Sequence, residues 1–138
     1  MSDYGNANGY AGGVVRDGAR EQVRMLGIGR AVVGGAMVLA PATSMRLWIG
    51  QERKTFGARL VTRAFGMREI AIGVGTMMAV EHDSPVRGWL EAGVLIDTSD
   101  ALNTLLSYRK LPRVGRTLVL AGAATAAVMG ARLARQLG

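Results

Sequence analysis

The stretch TLVLAGAATAAVMGA, Thr117 to Ala131, carries no charge and presents no polar face, and it restricts this chain more than any other feature. A helix on the surface of a soluble bundle keeps one side for water, whereas a helix that is apolar all round is buried in a large core or in lipid. A chain of 138 residues can build one core of modest size. Two further runs repeat the theme, AVVGGAMVLA from Ala31 to Ala40 and IAIGVGTMMAV from Ile70 to Val80. The overall composition, 49% hydrophobic and 20% charged, decides nothing, because it is the clustering of charges near the ends of these runs that is unusual.

The punctuation between runs predicts an all-α chain of four hydrophobic helices. Residues 1–19 are dense in Gly, Asn and Ser without periodicity, which predicts a flexible tail ahead of a single domain over residues 20–138. The first helix ends at Pro41, and Gln51 to Lys54 interrupts the pattern. The second runs from about Thr55 to Val80, with Arg59, Arg63 and Arg68 in its first half. Ser84-Pro85 suits a helix start, since Ser can cap free N–H groups and Pro is tolerated at the first position. That third helix should reach about Tyr108, where Arg109-Lys110 complements the C-terminal dipole. No alternating run bounded by turn residues occurs, so no strand is expected.

The strictly uncharged runs, about 11 to 16 residues each, fall short of the roughly 20 that a spanning helix needs. Arg and Lys that snorkel toward water extend each segment to about 20–25 residues. Trp48, Trp89 and Tyr108 lie beside segment ends, where an interfacial belt places aromatics. Twenty glycines against three prolines agree with close helix packing in lipid, because small residues let backbones approach. Ala71/Gly75 and Gly122/Ala126/Gly130 have the spacing for such contacts. The expectation is an antiparallel four-helix transmembrane bundle in contact with the lipid bilayer. Its two connections between odd and even helices hold nine bases against seven on the side of the termini, which favours termini outside. No cleavable signal peptide is expected, because the first apolar run begins near Met25 behind a polar stretch.

Charges inside the apolar segments form one constellation. In an antiparallel pair turning at residues 82–83, Arg68 and Asp97 fall at equal depth, and Asp100 follows three residues later on nearly the same face. Asn103 and Ser107 continue the polar stripe. A similar count about the first connection brings Arg30 near Met67, within reach of Glu69. Such a layer of Arg30, Arg68, Glu69, Asp97 and Asp100 can lock helix register through ion pairs, since an unpaired buried charge is costly. With three acids facing two bases, it can also serve as a proton or ion site.

Other chemistry finds little support. With no cysteine there is no disulfide, thiolate nucleophile or Cys-based metal site. Glu81-His82-Asp83 are consecutive residues that do not converge on one ion, so no metal is expected. No glycine pattern follows a strand as a phosphate loop requires. The basic patches lack interleaved aromatics, so nucleic acid is not an expected partner despite the net charge of +7. The serines and threonines have no positioned base, and neither an enzyme nor a cofactor is expected.

The segment Arg63-Ala-Phe-Gly-Met-Arg-Glu-Ile-Ala-Ile-Gly73, followed by Trp89 and the Asp97-x-x-Asp100 pair, resembles a group of uncharacterised small membrane proteins common in actinobacteria. The resemblance covers roughly residues 25–110. It implies a four-helix membrane fold, and with it the cytoplasmic membrane of a bacterium, but no chemistry. Together these readings predict a non-enzymatic accessory or scaffold subunit that works by helix association, with a second copy of itself or with other membrane protein subunits. The alternatives are a small polytopic carrier of ions or solutes using the Arg/Asp cluster, and a soluble basic bundle binding an acidic partner.

Overall fold

The three prolines mark breaks in a chain that is otherwise helical. In a computed structural model describing residues 7–50 and 55–137, with side chains from residue 17 onward, five α-helices follow one another. They are α1 (Ala7–Leu39), α2 (Pro41–Trp48), α3 (Phe56–Glu81), α4 (Arg87–Leu106) and α5 (Arg113–Leu137). A single turn of 3-10 helix, Tyr108–Lys110, links the last two. There is no strand among the described residues. Helix α1 begins at Ala7, well inside the stretch read from sequence as a tail; residues 1–6 and the break at Gln51–Lys54 lie outside the described residues.

Local chemistry explains the boundaries. Pro41 opens α2 at a position where its missing N–H costs nothing, so the proline that ends α1 also starts an eight-residue helix that the sequence reading did not separate. Gly50, at φ 95°, turns the chain away from α2. Thr55 caps α3 by accepting a hydrogen bond from the Ala58 N–H at 3.3 Å. Asp83, at φ 50°, closes α3: the Ser84 N–H reaches the Ala79 carbonyl and the Asp83 N–H the Val80 carbonyl, the pairing of a Schellman turn. That turn absorbs Ser84 and Pro85. Helix α4 therefore starts at Arg87 without a side-chain cap, two residues later than the Ser-Pro signal predicts.

The four long helices close into a ring. α1 packs along α3 and α4 along α5, with lighter contacts of α3 to α4 and of α1 to α5. Near the termini, Ala19 and Val23 of α1, Leu90 of α4 and Leu133 and Ala134 of α5 form the apolar core, with Val80 of α3 against it. The opposite end is closed by α2, which touches α1, α3 and α5. Trp48 lies against Phe65, ring centroids 5.9 Å apart, and Gly115 sits directly under the Leu47 and Trp48 backbone.

Away from that core, the inward face of α3 is not apolar. The buried positions of α3 are Thr62, Gly66, Glu69, Gly73, Thr76 and Ala79, all small or polar. Large apolar side chains point outward instead, with Leu39 86% exposed, Phe56 79%, Leu95 72% and Val128 69%. The hydroxyls of Thr62, Thr76, Thr98, Thr104 and Thr117 each donate to the carbonyl four residues back, so these polar groups are satisfied within their own helices. Among the described residues, two helices contain a stretch long and apolar enough to cross a membrane, Asp17–Leu39 in α1 and Arg113–Leu137, the whole of α5. α3 and α4 carry the internal charges that keep them from qualifying.

Candidate functional site

Two glycine pairs bring α1 and α3 into backbone contact. A methyl group on Gly73 would lie 2.5 Å from the Gly27 carbonyl oxygen, and one on Gly66 would lie 2.6 Å from that of Gly34. Gly27 and Gly34 are seven residues apart, as are Gly66 and Gly73, and the two helices run antiparallel. Midway between the contacts stand Arg30 and Glu69, each three residues after the first glycine of its own pair. With no Cβ at four positions the helices approach closely, and the two charged side chains meet where no lateral space is left for water.

From this pair a chain of alternating charge extends across the bundle. Arg30 Nη1 donates to Glu69 Oε2 at 2.6 Å, and Arg30 Nη2 donates to Asp97 Oδ2. Glu69 Oε1 accepts from Arg68 Nη2 at 3.1 Å, and the same nitrogen donates to Asp100 Oδ2 at 2.7 Å. The order is Asp97, Arg30, Glu69, Arg68, Asp100: three carboxylates joined by two guanidiniums, drawn from α1, α3 and α4. Gly93 makes the crossing possible, because a side chain there would lie 2.9 Å from Arg30 Nη2, one turn before Asp97. The Arg68 guanidinium rests 5.0 Å from the Phe65 ring centroid, and its Nε is buried without a hydrogen-bond partner.

The five charged residues singled out from sequence share one network, with one pairing changed. The counts put Arg68 beside Asp97 and Asp100 and Arg30 near Glu69; the pairs Arg68–Asp100 and Arg30–Glu69 form, but Asp97 takes Arg30, and Arg68 turns to Glu69 as well. Arg30 reaches Asp97 across the ring, because α1 and α4 are not packed as neighbours and Gly93 leaves open the space that its guanidinium crosses. The polar stripe also differs, since Asn103 and Ser107 are exposed and Thr104 takes the inward position.

The five small residues named as packing positions behave differently from one another. Gly75 lies under the Trp89 ring rather than against a helix backbone, and a methyl group on Gly130 would lie 2.9 Å from Val94 of α4. Gly122 has nothing within reach, Ala126 is half-buried, and Ala71 is exposed. Gly130 thus carries a contact between α5 and α4, whereas the glycines that bring α1 and α3 together, Gly27, Gly34, Gly66 and Gly73, were missed. Their signal was present as two heptad-spaced glycine pairs, each with a charge of opposite sign three residues in.

The remaining charges divide by end. At the end holding the termini, Arg20 pairs with Asp83 and Arg87 with Glu91, among Asp17, Glu21 and Glu81. At the other end Arg46, Arg59, Arg63, Arg109, Lys110, Arg113 and Arg116 have no carboxylate partner among the described residues. No group of His, Asp or Glu suited to a metal ion occurs among the described residues, the Glu81-His82-Asp83 run included. No protein-family model matches the chain, and no curated protein or solved structure does.

Proposed function

We propose that the chain is a small integral membrane protein whose four long helices all cross the bilayer, and that it acts as a non-enzymatic accessory subunit through helix association. The observation that carries this reading is the inverted distribution of polarity, with Arg30, Glu69 and Asp97 buried while large apolar side chains cover the outside of every long helix. Water would penalise that exterior, whereas lipid accepts it and penalises only polar groups left unpaired. Each long helix has at least 20 residues, enough at 1.5 Å per residue to cross about 30 Å of hydrocarbon. The ion-pair chain offsets the charges that lower the apolarity of α3 and α4.

Association is supported by small residues on the outer surface. Gly18 and Gly29 of α1 and Gly122 of α5 have open space where a side chain would stand. Other helices can approach closely at such positions. The resemblance to actinobacterial membrane proteins supports the cytoplasmic membrane as the location. The test is extraction of native membranes at alkaline pH, followed by mild-detergent purification and cross-linking through Gly29→Cys and Gly122→Cys. Retention in the pellet, with a cross-linked second copy or a defined co-purifying membrane subunit, is the expected result. Release into the supernatant, or a monomer without partners, overturns it.

A second reading, a small carrier of protons or ions, is favoured by one observation: the central chain holds one carboxylate more than it holds guanidiniums. Ion flux in proteoliposomes that Asp97→Asn and Asp100→Asn both abolish would replace the accessory role with this one.

A further inference from the structure

The cations at the end closed by α2 stand together because of how that end is packed. Gly115 admits the Leu47–Trp48 backbone onto the first turn of α5, and Gly50 lies against Pro112, 3.3 Å from where its side chain would begin. These contacts put Arg46 of α2 beside Arg113 and Arg116 of α5, next to Arg109 and Lys110 of the 3-10 turn. Arg116 is held in place by stacking 3.9 Å over the Tyr108 ring and donating to the Tyr108 carbonyl at 3.0 Å. Arg59 faces solvent from the first turns of α3 at the same end. No aspartate or glutamate stands among these residues in the described structure.

We infer that this end is a binding face for the phosphates of anionic lipid headgroups, an inference that rests on the membrane reading above. Charge complementarity gives the sign of the partner, and the apolar surface beside the bases selects its kind. Leu39 and Leu106 with Leu105 are exposed at the ends of α1 and α4, and Phe56 at the start of α3, all at this same end of the bundle. A lipid offers a phosphate to the bases and acyl chains to those side chains. A nucleic acid or an acidic protein would match the bases and leave the apolar side chains uncovered. Bases near an anionic surface each strengthen attraction to it, and the effect weakens within a Debye length as salt rises. The opposite end has no such preference, because its arginines are interleaved with acids and two are already paired.

The experiment reconstitutes the full chain in nanodiscs of phosphatidylcholine alone, and of phosphatidylcholine with one-fifth phosphatidylglycerol. After gentle detergent extraction, the lipids still bound are identified by mass spectrometry. The expected result is stable incorporation in both discs and enrichment of phosphatidylglycerol over its bulk share, declining as salt is raised. Neutralising Arg109→Gln, Lys110→Gln and Arg113→Gln together returns the bound lipid to the bulk ratio, each change lowering affinity roughly fivefold. Arg109→Lys with Arg113→Lys keeps the enrichment, which separates charge from any loss of fold. Arg87→Gln, Arg132→Gln and Arg135→Gln at the other end leave it unchanged. Incorporation without enrichment, equal loss from both triple variants, or co-purifying nucleic acid in place of lipid overturns the inference while the membrane reading stands. Failure to enter either disc overturns both.

Discussion

Arg30 is the residue on which the interior depends. Its side chain is 8% exposed and joins Glu69 to Asp97, which are 11% and 9% exposed, so removing it strands Asp97 and leaves Glu69 with Arg68 alone. Breaking a buried pair by deleting one partner costs about 3–5 kcal/mol, because the remaining charge has no water to return to. Arg30→Met is therefore expected to lower thermal stability in detergent by that amount, and Arg68→Met by less, since the Arg68 side chain is 30% exposed. A double-mutant cycle of Arg30→Met with Asp97→Asn should show coupling of roughly 0.5–3 kcal/mol. Arg68→Met with Asp97→Asn should show weaker coupling, because those two are linked only through Arg30 and Glu69. Equal losses at both arginines, or stronger coupling of Asp97 to Arg68 than to Arg30, would restore the pairing read from sequence. Gly93→Ala gives an independent check: its methyl group would press on the Arg30 guanidinium, at a cost of about 1–3 kcal/mol.

At the scale of elements, the closest contact lies between α1 and α3 and depends on four glycines. Gly66→Leu and Gly73→Leu are expected to force those helices apart and to prevent recovery of folded protein in detergent, whereas Gly122→Leu should change the melting temperature little, since open space surrounds it. Unfolding of the Gly122 variant alone would show that α5, not α3, carries the tight interface. Which helices exist was legible in the sequence, because apolar runs, prolines and basic ends mark them. Which faces meet was not. The pattern Ala71/Gly75 has suitable spacing, but the interior stripe of α3 follows Thr62, Gly66, Glu69, Gly73 and Thr76, where hydrophobicity gives no signal. The charged layer was legible as a set of residues because charges within apolar runs stand out. Its connectivity was legible only in part, because a hairpin count compares neighbouring helices and gives no sign that Arg30 of α1 reaches Asp97 across the ring. α2 was hidden by its length, eight residues between a proline and a glycine.

For the whole molecule, the uneven charge of the two ends predicts an orientation. On the proposed reading that all four long helices cross the bilayer, the positive-inside tendency would put the end with Arg109, Lys110 and Arg113 toward the cytoplasm and both termini outside. Because the chain has no cysteine, single introduced thiols report position without interference. In intact cells, a membrane-impermeant thiol reagent is expected to label Ser84→Cys in the α3–α4 turn and to spare Ser107→Cys at the end of α4 until the membrane is opened. The reverse pattern would show that acids beside the terminal arginines do not offset them.

The ion-pair chain draws on α1, α3 and α4, and α5 contributes nothing to it. In a bilayer this arrangement would impose an order of events as the chain is made. α1 and α5 are apolar enough to enter on their own, while α3 and α4 carry charges that lipid resists. When α3 emerges, Arg30 is already in place to receive Glu69. When α4 follows, Asp97 and Asp100 find both guanidiniums waiting. A ribosome stalled before residue 85 would leave Arg68 with Glu69 as its one acidic neighbour from the chain, so the half-made protein would sit uneasily in the membrane until the second aspartate arrived. The early helices would in that sense act as chaperones for the later one, built into the same polypeptide.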